Sequence, residues 1–324
     1  MLKFFAAALA ATIAVPAYAA DVTMRMSHQL PPTHYVAVAL EDWGKEIEKA
    51  TGDTIDVQIF PASQAFKPEQ VFPAVARGEI EVGMTTTFQW GNTLPEMNAL
   101  TIPYLLNTTE KARKLAGSPA AALLKEKMRN LGVQNIAWLF MGNANFYTSN
   151  EKPLINVEDF KGLKMRGLSK ISDAGLSAAG ASPVTMPASE LYQALQTGIV
   201  NGAAGDYLGA YARKLHEVQK FGTVAAASAV FNHIFVNPDW WDGLSDEQRK
   251  AITEATARLQ DSMVEKNEAV VAKANADLES AMNVHHQTEA EAKAWADVMR
   301  PPSEKVFLQS TPGGQKLIDL LADL

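Results

Sequence analysis

Apolar residues recur along this chain with two periods, and their alternation maps its elements. Residues 22–26 (VTMRM) alternate, with Val22, Met24 and Met26 on one face, which predicts a strand. "SHQLPPTHY" follows as a Pro-rich turn. Val36, Leu40, Trp43, Ile47 and Ala50 then step by four, three, four and three, one stripe of a helix that Gly52 stops. "TIDVQIF" alternates again through Ile55, Val57 and Ile59. A helix over about 68–77 ends at Gly78, and "EIEVGM" follows as a strand. The order β-α-β-α-β predicts an α/β domain with functional loops at the strand ends.

The pattern returns downstream. "VFPAVARGEIEVG" (71–83) and "LYQALQTGIVNG" (191–202) align without gaps at an offset of 120, with Gly78 on Gly198 and Ile80 on Val200. Each reads as helix, glycine C-cap and short strand, which suggests two lobes built on one plan. Ser245-Asp246-Glu247-Gln248 is a capping box. No Gly or Pro interrupts the chain from there to about Met282, so a helix of ~55 Å is expected, long enough to run along both lobes. "MRPPSEK" (299–305) is expected to break the chain, and "GGQKLIDLLADL" to close it with an amphipathic helix.

Composition narrows the class. The first residues carry Lys3, an apolar run from Phe4 to Val15 and the A-x-A site Ala17-Tyr18-Ala19, which reads as a secretory signal peptide over 1–19, cleaved near Ala19/Ala20. The remaining chain holds 28 basic and 36 acidic side chains, a net charge of −8. That balance makes nucleic acid a poor partner. No later segment reads as membrane-spanning, so direct membrane insertion is not expected. The absence of Cys excludes disulfides and thiolate chemistry and is compatible with a bacterial periplasm.

No enzyme constellation stands out. The chain has no H-E-x-x-H, G-x-S-x-G, P-loop or G-x-G-x-x-G. His285-His286 reads as a solvated pair, and Glu79 and Glu81 as strand-edge charges. No cofactor or metal is expected. What does recur is polar and aromatic sequence after strands, where open α/β folds bind ligands. His28 and Gln29 follow the first strand. "TTTFQWG" (85–91) offers Thr87, Phe88, Gln89 and Trp90, "GNANFYTSN" (142–150) offers Asn145 and Phe146, and "GAAGDYLGAY" (202–211) offers Asp206 and Tyr207. In "VEDFKGLKMRGLSK" (157–170), Leu163 and Met165 would face one way and Lys164 and Arg166 the other. Arg166 is then either surface charge or an inward anchor for an anion.

These segments together resemble the solute receptors of tripartite ATP-independent periplasmic (TRAP) transporters, the DctP type. The resemblance runs through D-x-K-G-L-K-x-R, G-A-S-P-x-x-M and E-x-Y-x-A-L-Q-T-G-x-V-D/N-G in order, continues with "HEVQKF" (216–221), and upstream includes "SHQLPPTHY", "FPASQ" and "PEMNALTIPYLL". It covers essentially the whole chain after the leader. It implies an α/β, two-lobed periplasmic binding protein fold of type II character, with a long helix spanning both lobes. The lobes would comprise 20–142 with 232–265, and 143–231 with 266–324, with crossings near 142–145 and 229–233.

The family's carboxylate-pairing arginine falls on Arg166, which leaves Lys161 and Lys164 at the surface. A guanidinium fits a carboxylate as a two-pronged fork, which an ammonium cannot do. Met186, closing the G-A-S-P-x-x-M motif, and Asn232, in the second crossing, complete the candidate ligand-binding set. Two departures stand out. Asn145 occupies the place where sialic-acid-type receptors carry a further arginine, and Gly205-Asp206-Tyr207 replaces an expected asparagine. Fewer cations suggest a small monocarboxylate or another compact anion. The expected function is capture of an organic acid in the interlobe cleft and delivery to the small and large membrane permease subunits. A sensing receptor, or an enzyme using His28 as acid or base, are the alternatives.

Overall fold

Met24 and Met26 are fully buried on β1 (Val22–His28), as the alternation predicts. The computed structural model describes residues 21–143, 145–186 and 190–324. The leader over 1–19 and its cleavage point lie outside the described residues. After β1 come α1 (Tyr35–Ala50), β2 (Ile55–Phe60), α2 (Pro68–Ala76), β3 (Val82–Thr86), α3 (Thr109–Leu115), α4 (Pro119–Asn130) and β4 (Gln134–Gly142). The chain continues as β5 (Asn145–Ser149), β6 (Lys164–Gly167), α5 (Lys170–Ala178), β7 (Ser182–Thr185), α6 (Leu191–Gln196), β8 (Gly202–Asp206), α7 (Tyr207–Ala212) and β9 (Phe221–Ala225). It finishes with β10 (Val230–Val236), α8 (Pro238–Asp242), α9 (Asp246–Ala281), β11 (Asn283–His286), α10 (Glu289–Ser310) and α11 (Gln315–Ala322).

Two sheets form, in the orders β2-β1-β3-β10-β4 and β11-β9-β5-β8-β6-β7. Their pairing senses match. In the first, β1 runs parallel to β2 and β3, and β10 runs antiparallel to β3 and β4. In the second, β6 runs parallel to β7 and β8, and β5 runs antiparallel to β8 and β9. The 120-residue offset holds at the level of structure: β3 and β8 are offset by 120 at both ends, and Gly78 (φ 71°) and Gly198 (φ 74°) both take the left-handed conformation that ends the preceding helix. Apolar residues cover both faces of each sheet.

The chain passes from the first sheet to the second between the end of β4 at Gly142 and the start of β5 at Asn145, and back again at 226–229, so Val230 and Phe231 already belong to the first sheet, a little earlier than the expected crossing at 229–233. Helix α9 runs past both. The Ser245 hydroxyl accepts from the Gln248 amide N–H at 3.2 Å, and the Gln248 side chain accepts from the Ser245 N–H at 3.0 Å, which closes the capping box. Ile252, Ala255, Leu259 and Met263 then pack on the first sheet's core, while Ala274 and Leu278 pack on the second's. Between these stretches Asn267 is buried. It donates to the Met141 carbonyl at 2.6 Å and the Tyr35 hydroxyl at 3.1 Å, beside the first crossing.

Several expectations are corrected. "MRPPSEK" does not break the chain: α10 runs through Pro301 and Pro302. The prolines remove two intrahelical bonds and strain the helix by ~3 kcal/mol or more. Packing outweighs this, because Trp295, Met299, Ser303 and Phe307 form one buried stripe across the prolines. Gly175 of α5 admits the close approach, since a Cβ there would lie 3.0 Å from Met299. Helix α11 joins the first lobe rather than the second. Its Leu317, Ile318 and Leu321 enter the core that holds Leu124 of α4, and Lys111 and Lys114 of α3 donate to the Ala322 and Leu324 carbonyls. The His285-His286 pair forms part of edge strand β11, where each ring meets a carboxylate, Glu291 and Glu279. Glu81 and Glu79 pair with Arg25 and Arg77.

Candidate functional site

The four-residue strand β6 sets the site. Met165 is fully buried beneath the second sheet and Lys164 is exposed, as is Lys161. Arg166, on the opposite face from Met165, turns into a cavity of about 120 Å³. One Nη1–H donates to the Ala204 carbonyl at 3.1 Å, and among the described residues the buried Nε finds no partner. Among the described residues no carboxylate lies within ion-pair distance of this guanidinium. Burial holds its pKa below the usual guanidinium range. The charge of Arg213 pushes the same way, and Asp206 and Asp173 oppose both. Asp173 sits behind the strand end, where its carboxylate accepts from the Leu168 N–H at 3.0 Å. Burial raises the Asp173 pKa, against these hydrogen bonds and Arg166.

The cavity lies between the lobes. Thr87, Phe88 and Thr101 face it from the first. Asn145, Ser228, Ala229 and Val230 face it from the crossings. Arg166, Phe146, Leu168, Ser169, Ser172, Asp206 and Arg213 are among those facing it from the second. Phe88 is 42% exposed, a large apolar side chain presented to the cleft by the short 3₁₀ turn Thr87–Trp90. Of the sequence candidates, then, Arg166, Thr87, Phe88, Asn145, Phe146 and Asp206 come together.

The others do not line this cavity. Trp90 is a core residue whose indole N–H donates to the Thr85 hydroxyl at 2.8 Å. Tyr207 is buried edge-on against Phe146, with ring centroids 4.8 Å apart. Gln29 and Gln89 bond to one another at 2.8 Å, and both reach Thr86. Asn232 accepts from the Thr86 hydroxyl at 2.8 Å. His28 is buried with Nδ1 accepting from the Leu30 N–H, and burial pushes its pKa down to about 4. No nucleophile or carboxylate bonds to it among the described residues. Met186 lies by a separate surface depression with Glu190, Gln193 and Ile199.

The reason for these misses is local. "NFYTS" and "GAAGD" read as loops but are the central strands β5 and β8, so alternate side chains such as Phe146 and Tyr147 go to opposite buried faces. Arg213, Ser169, Ser172 and Ser228 were not anticipated. Arg213 carried a signal: Asp206 is a helix N-cap residue, and seven residues later is two turns along the same face.

With this geometry in view, comparison with known proteins is decisive. Residues 26–310 match the profile of the bacterial extracellular solute-binding proteins, family 7 (DctP). The chain belongs to the DctP family. It is 30% identical over 307 residues to the C4-dicarboxylate-binding periplasmic protein DctP of Rhodobacter capsulatus, covering 93% of this chain and 91% of that one. Among solved structures, a TRAP periplasmic solute-binding protein from Ochrobactrum anthropi superposes with a TM-score of 0.87 at 24% identity, over 94% of this chain and 96% of its own. Another, from Desulfovibrio salexigens with bound orotic acid, gives 0.84 at 27% identity, over 93% and 97%. The two-lobed plan with its long spanning helix is therefore the fold of TRAP-type DctP receptors. Among the described residues no helix is long and apolar enough to cross a membrane.

Proposed function

We propose that this DctP-family protein captures a small organic acid between its lobes, with Arg166 as the carboxylate anchor, and hands it to the membrane permease subunits of a TRAP transporter after export to the periplasm and removal of residues 1–19. The observation that carries this reading is the state of Arg166. A guanidinium that is largely desolvated, bonded to a single carbonyl and left with an unpartnered Nε is costly unless an anion completes it. Its free edge faces a partly open, partly apolar cavity between the lobes. Ser169, Ser172, Thr87 and Thr101 supply hydroxyls for the body of the ligand, and Phe88 covers it from the first lobe. The relatives support an acid: the Rhodobacter protein binds C4-dicarboxylates, and a TRAP receptor of Rhodoferax ferrireducens, 25% identical with a TM-score of 0.84, holds malonate.

The test is thermal-shift screening against a panel of organic acids. An acid at a hundred times its dissociation constant raises stability by ~2.7 kcal/mol. Arg166→Ala should abolish that rise while leaving the ligand-free transition in place. Stabilisation of the Arg166→Ala protein by the same acid would overturn the assignment.

A further inference from the structure

Tyr104 belongs to one lobe by its backbone and to the other by its ring. It follows the 3₁₀ segment Pro95–Thr101, and its neighbours Ile102, Leu105 and Leu106 are buried in the core that holds Trp90 and Leu124 of the first lobe. The Tyr104 ring instead enters the second-lobe core with Tyr147, Phe160 and Trp295. A left-handed backbone at Tyr104, φ 60°, makes the reversal. That conformation is rare for a bulky side chain and persists where surrounding contacts over-determine it. The polar contacts are specific. The Tyr104 N–H donates to the Ala227 carbonyl at 2.5 Å, in the return crossing over 226–229. The hydroxyl bonds to the Gln287 amide, at 3.0 Å to Nε2 and 3.2 Å to Oε1. Gln287 is tied in turn to the second sheet, its N–H donating to the Val224 carbonyl of β9 at 2.9 Å. Thr101 and Ser228, close to these contacts in sequence, line the cavity, so Tyr104 stands at the hinge just behind the ligand space.

We propose that Tyr104 is the pivot pin of the cleft, a positioning residue whose bond to Gln287 holds the ligand-free lobes near the angle at which they capture a ligand. A contact beside the crossing moves little as the lobes rotate, so it limits their separation without blocking closure. While the hydroxyl holds Gln287, the first-lobe segment and the edge of the second sheet are joined behind the cavity, and wide opening must break that joint. The buried ring keeps the segment in place when the hydroxyl is removed. The hydroxyl–amide pair, rather than the fold, therefore sets the range of opening. The pin touches no ligand. It acts on capture through the fraction of molecules whose lobes are close enough to bind, and that factor is the same for every acid. The role is separate from the choice of Arg166 as anchor, because the pin restrains the protein before any ligand arrives.

The chain has no cysteine, so a pair of nitroxide labels can be placed by Glu41→Cys on α1 and Ser177→Cys on α5, both exposed. Double electron–electron resonance on the ligand-free protein then reads the interlobe distance in the wild type, Tyr104→Phe, Gln287→Leu and the double variant, with the melting temperature recorded for each. Tyr104→Phe and Gln287→Leu should each raise the population at longer distances on the order of two- to ten-fold. The double variant should go no further than either single one, because both remove the same bond. Leu154→Ala hollows the same core without touching the pin, and should lower the melting temperature while leaving the distances unchanged. Wild-type distances in both single variants overturn the pin, as does a widening that Leu154→Ala reproduces. With succinate, malonate and orotate, Tyr104→Phe should weaken each acid that binds the wild type by one common factor, and a changed ranking would overturn the role. A wild type that binds no organic acid would strike the proposed function, and the ligand-free distances would still decide the pin.

Discussion

Asn145 and Ser228 are bonded to one another where the chain twice passes between the sheets. The Asn145 side-chain Oδ1 accepts from the Ser228 N–H at 2.5 Å, and its Nδ2–H donates to the Ser228 hydroxyl at 3.2 Å. Asn145 stands opposite Asp206 in the second sheet as Asn232 stands opposite Thr86 in the first, so the two asparagines occupy equivalent places in the repeated plan. The Asn145 amide is therefore committed to a clip between crossings, although it lines the cavity. Asn145→Ala leaves the half-buried Ser228 N–H unpaired and should lower unfolding free energy by about 1 kcal/mol in urea titration. Asn145→Arg, which from sequence alone would be expected to retune ligand choice, should instead destabilise the fold, because a buried cation would replace the clip. A fully stable Asn145→Arg protein with altered ligand ranking would return Asn145 to ligand recognition.

Arg166 and Lys164 share one face of β6, yet Lys164 is exposed at the strand's start while Arg166 reaches the cavity. Losing one partner of a buried charge pair costs ~2–5 kcal/mol, on the order of thirty- to several-thousand-fold in affinity. Arg166→Ala should show that loss, Arg166→Lys should recover only part of it, and Lys164→Ala should change affinity little. Equal damage from Lys164→Ala and Arg166→Ala in calorimetry would place Lys164 at the ligand as well and overturn its assignment to the surface.

Phe88 belongs to the first lobe, and the charged residues that face it belong to the second. Closure around a ligand should bury it. Small-angle scattering should give a smaller radius of gyration with saturating acid than without. Phe88→Ala should weaken the acid several-fold without moving the ligand-free melting temperature, since an exposed side chain adds little to the core. Superimposable scattering curves, or a ligand-free protein destabilised by Phe88→Ala, would count against a clamp closed by this residue.

His233 predicts an acid-sensitive first lobe. It is wholly buried, and burial drives its pKa down to about 3. Asn135 donates from its amide toward Nδ1 at 3.3 Å, so Nδ1 must accept and the proton resides on Nε2, toward the Thr85 hydroxyl at 3.2 Å. Protonating Nδ1 would set two donors face to face. With the folded pKa below the unfolded value of about 6.5, the unfolded chain binds the extra proton first. Stability is complete above pH 6.5 and falls as pH drops toward 3, by about 2 kcal/mol at pH 5 from this residue. His28, at about 4, adds in the same direction. Urea unfolding of His233→Gln at pH 7 and pH 5 should show a pH slope shallower by up to ~1.4 kcal/mol per unit. An unchanged slope would mean that His233 does not set it.

Much of this protein was legible in one dimension. The period-two and period-3.6 stripes placed β1, α1 and β2, because each is set by which side of a local element meets a core, while a glycine stop and a capping box marked α2 and α9. The 120-residue offset disclosed the repeated plan, since helix, glycine cap and strand are local devices. Arg166 was separable from Met165 because a strand alternates, while its separation from Lys164, which shares its face, came from the family resemblance. Tertiary structure decided the rest. Whether "NFYTS" is a loop or a strand buried on both faces depends on β8 and β9, which lie far along the sequence. Pro301 and Pro302 end a helix by local rules and are overruled by packing against Gly175. Trp90 and Asn145 are polar-tipped residues at strand ends, and only their partners, Thr85 and Ser228, show that their hydrogen bonds are already committed. Arg213 became part of the site because Asp206 starts a helix and Gly209 leaves room above it. Local chemistry determines the elements and the kinds of group available. Which of those groups remain unpaired, and so open to a ligand, is fixed only when distant segments meet.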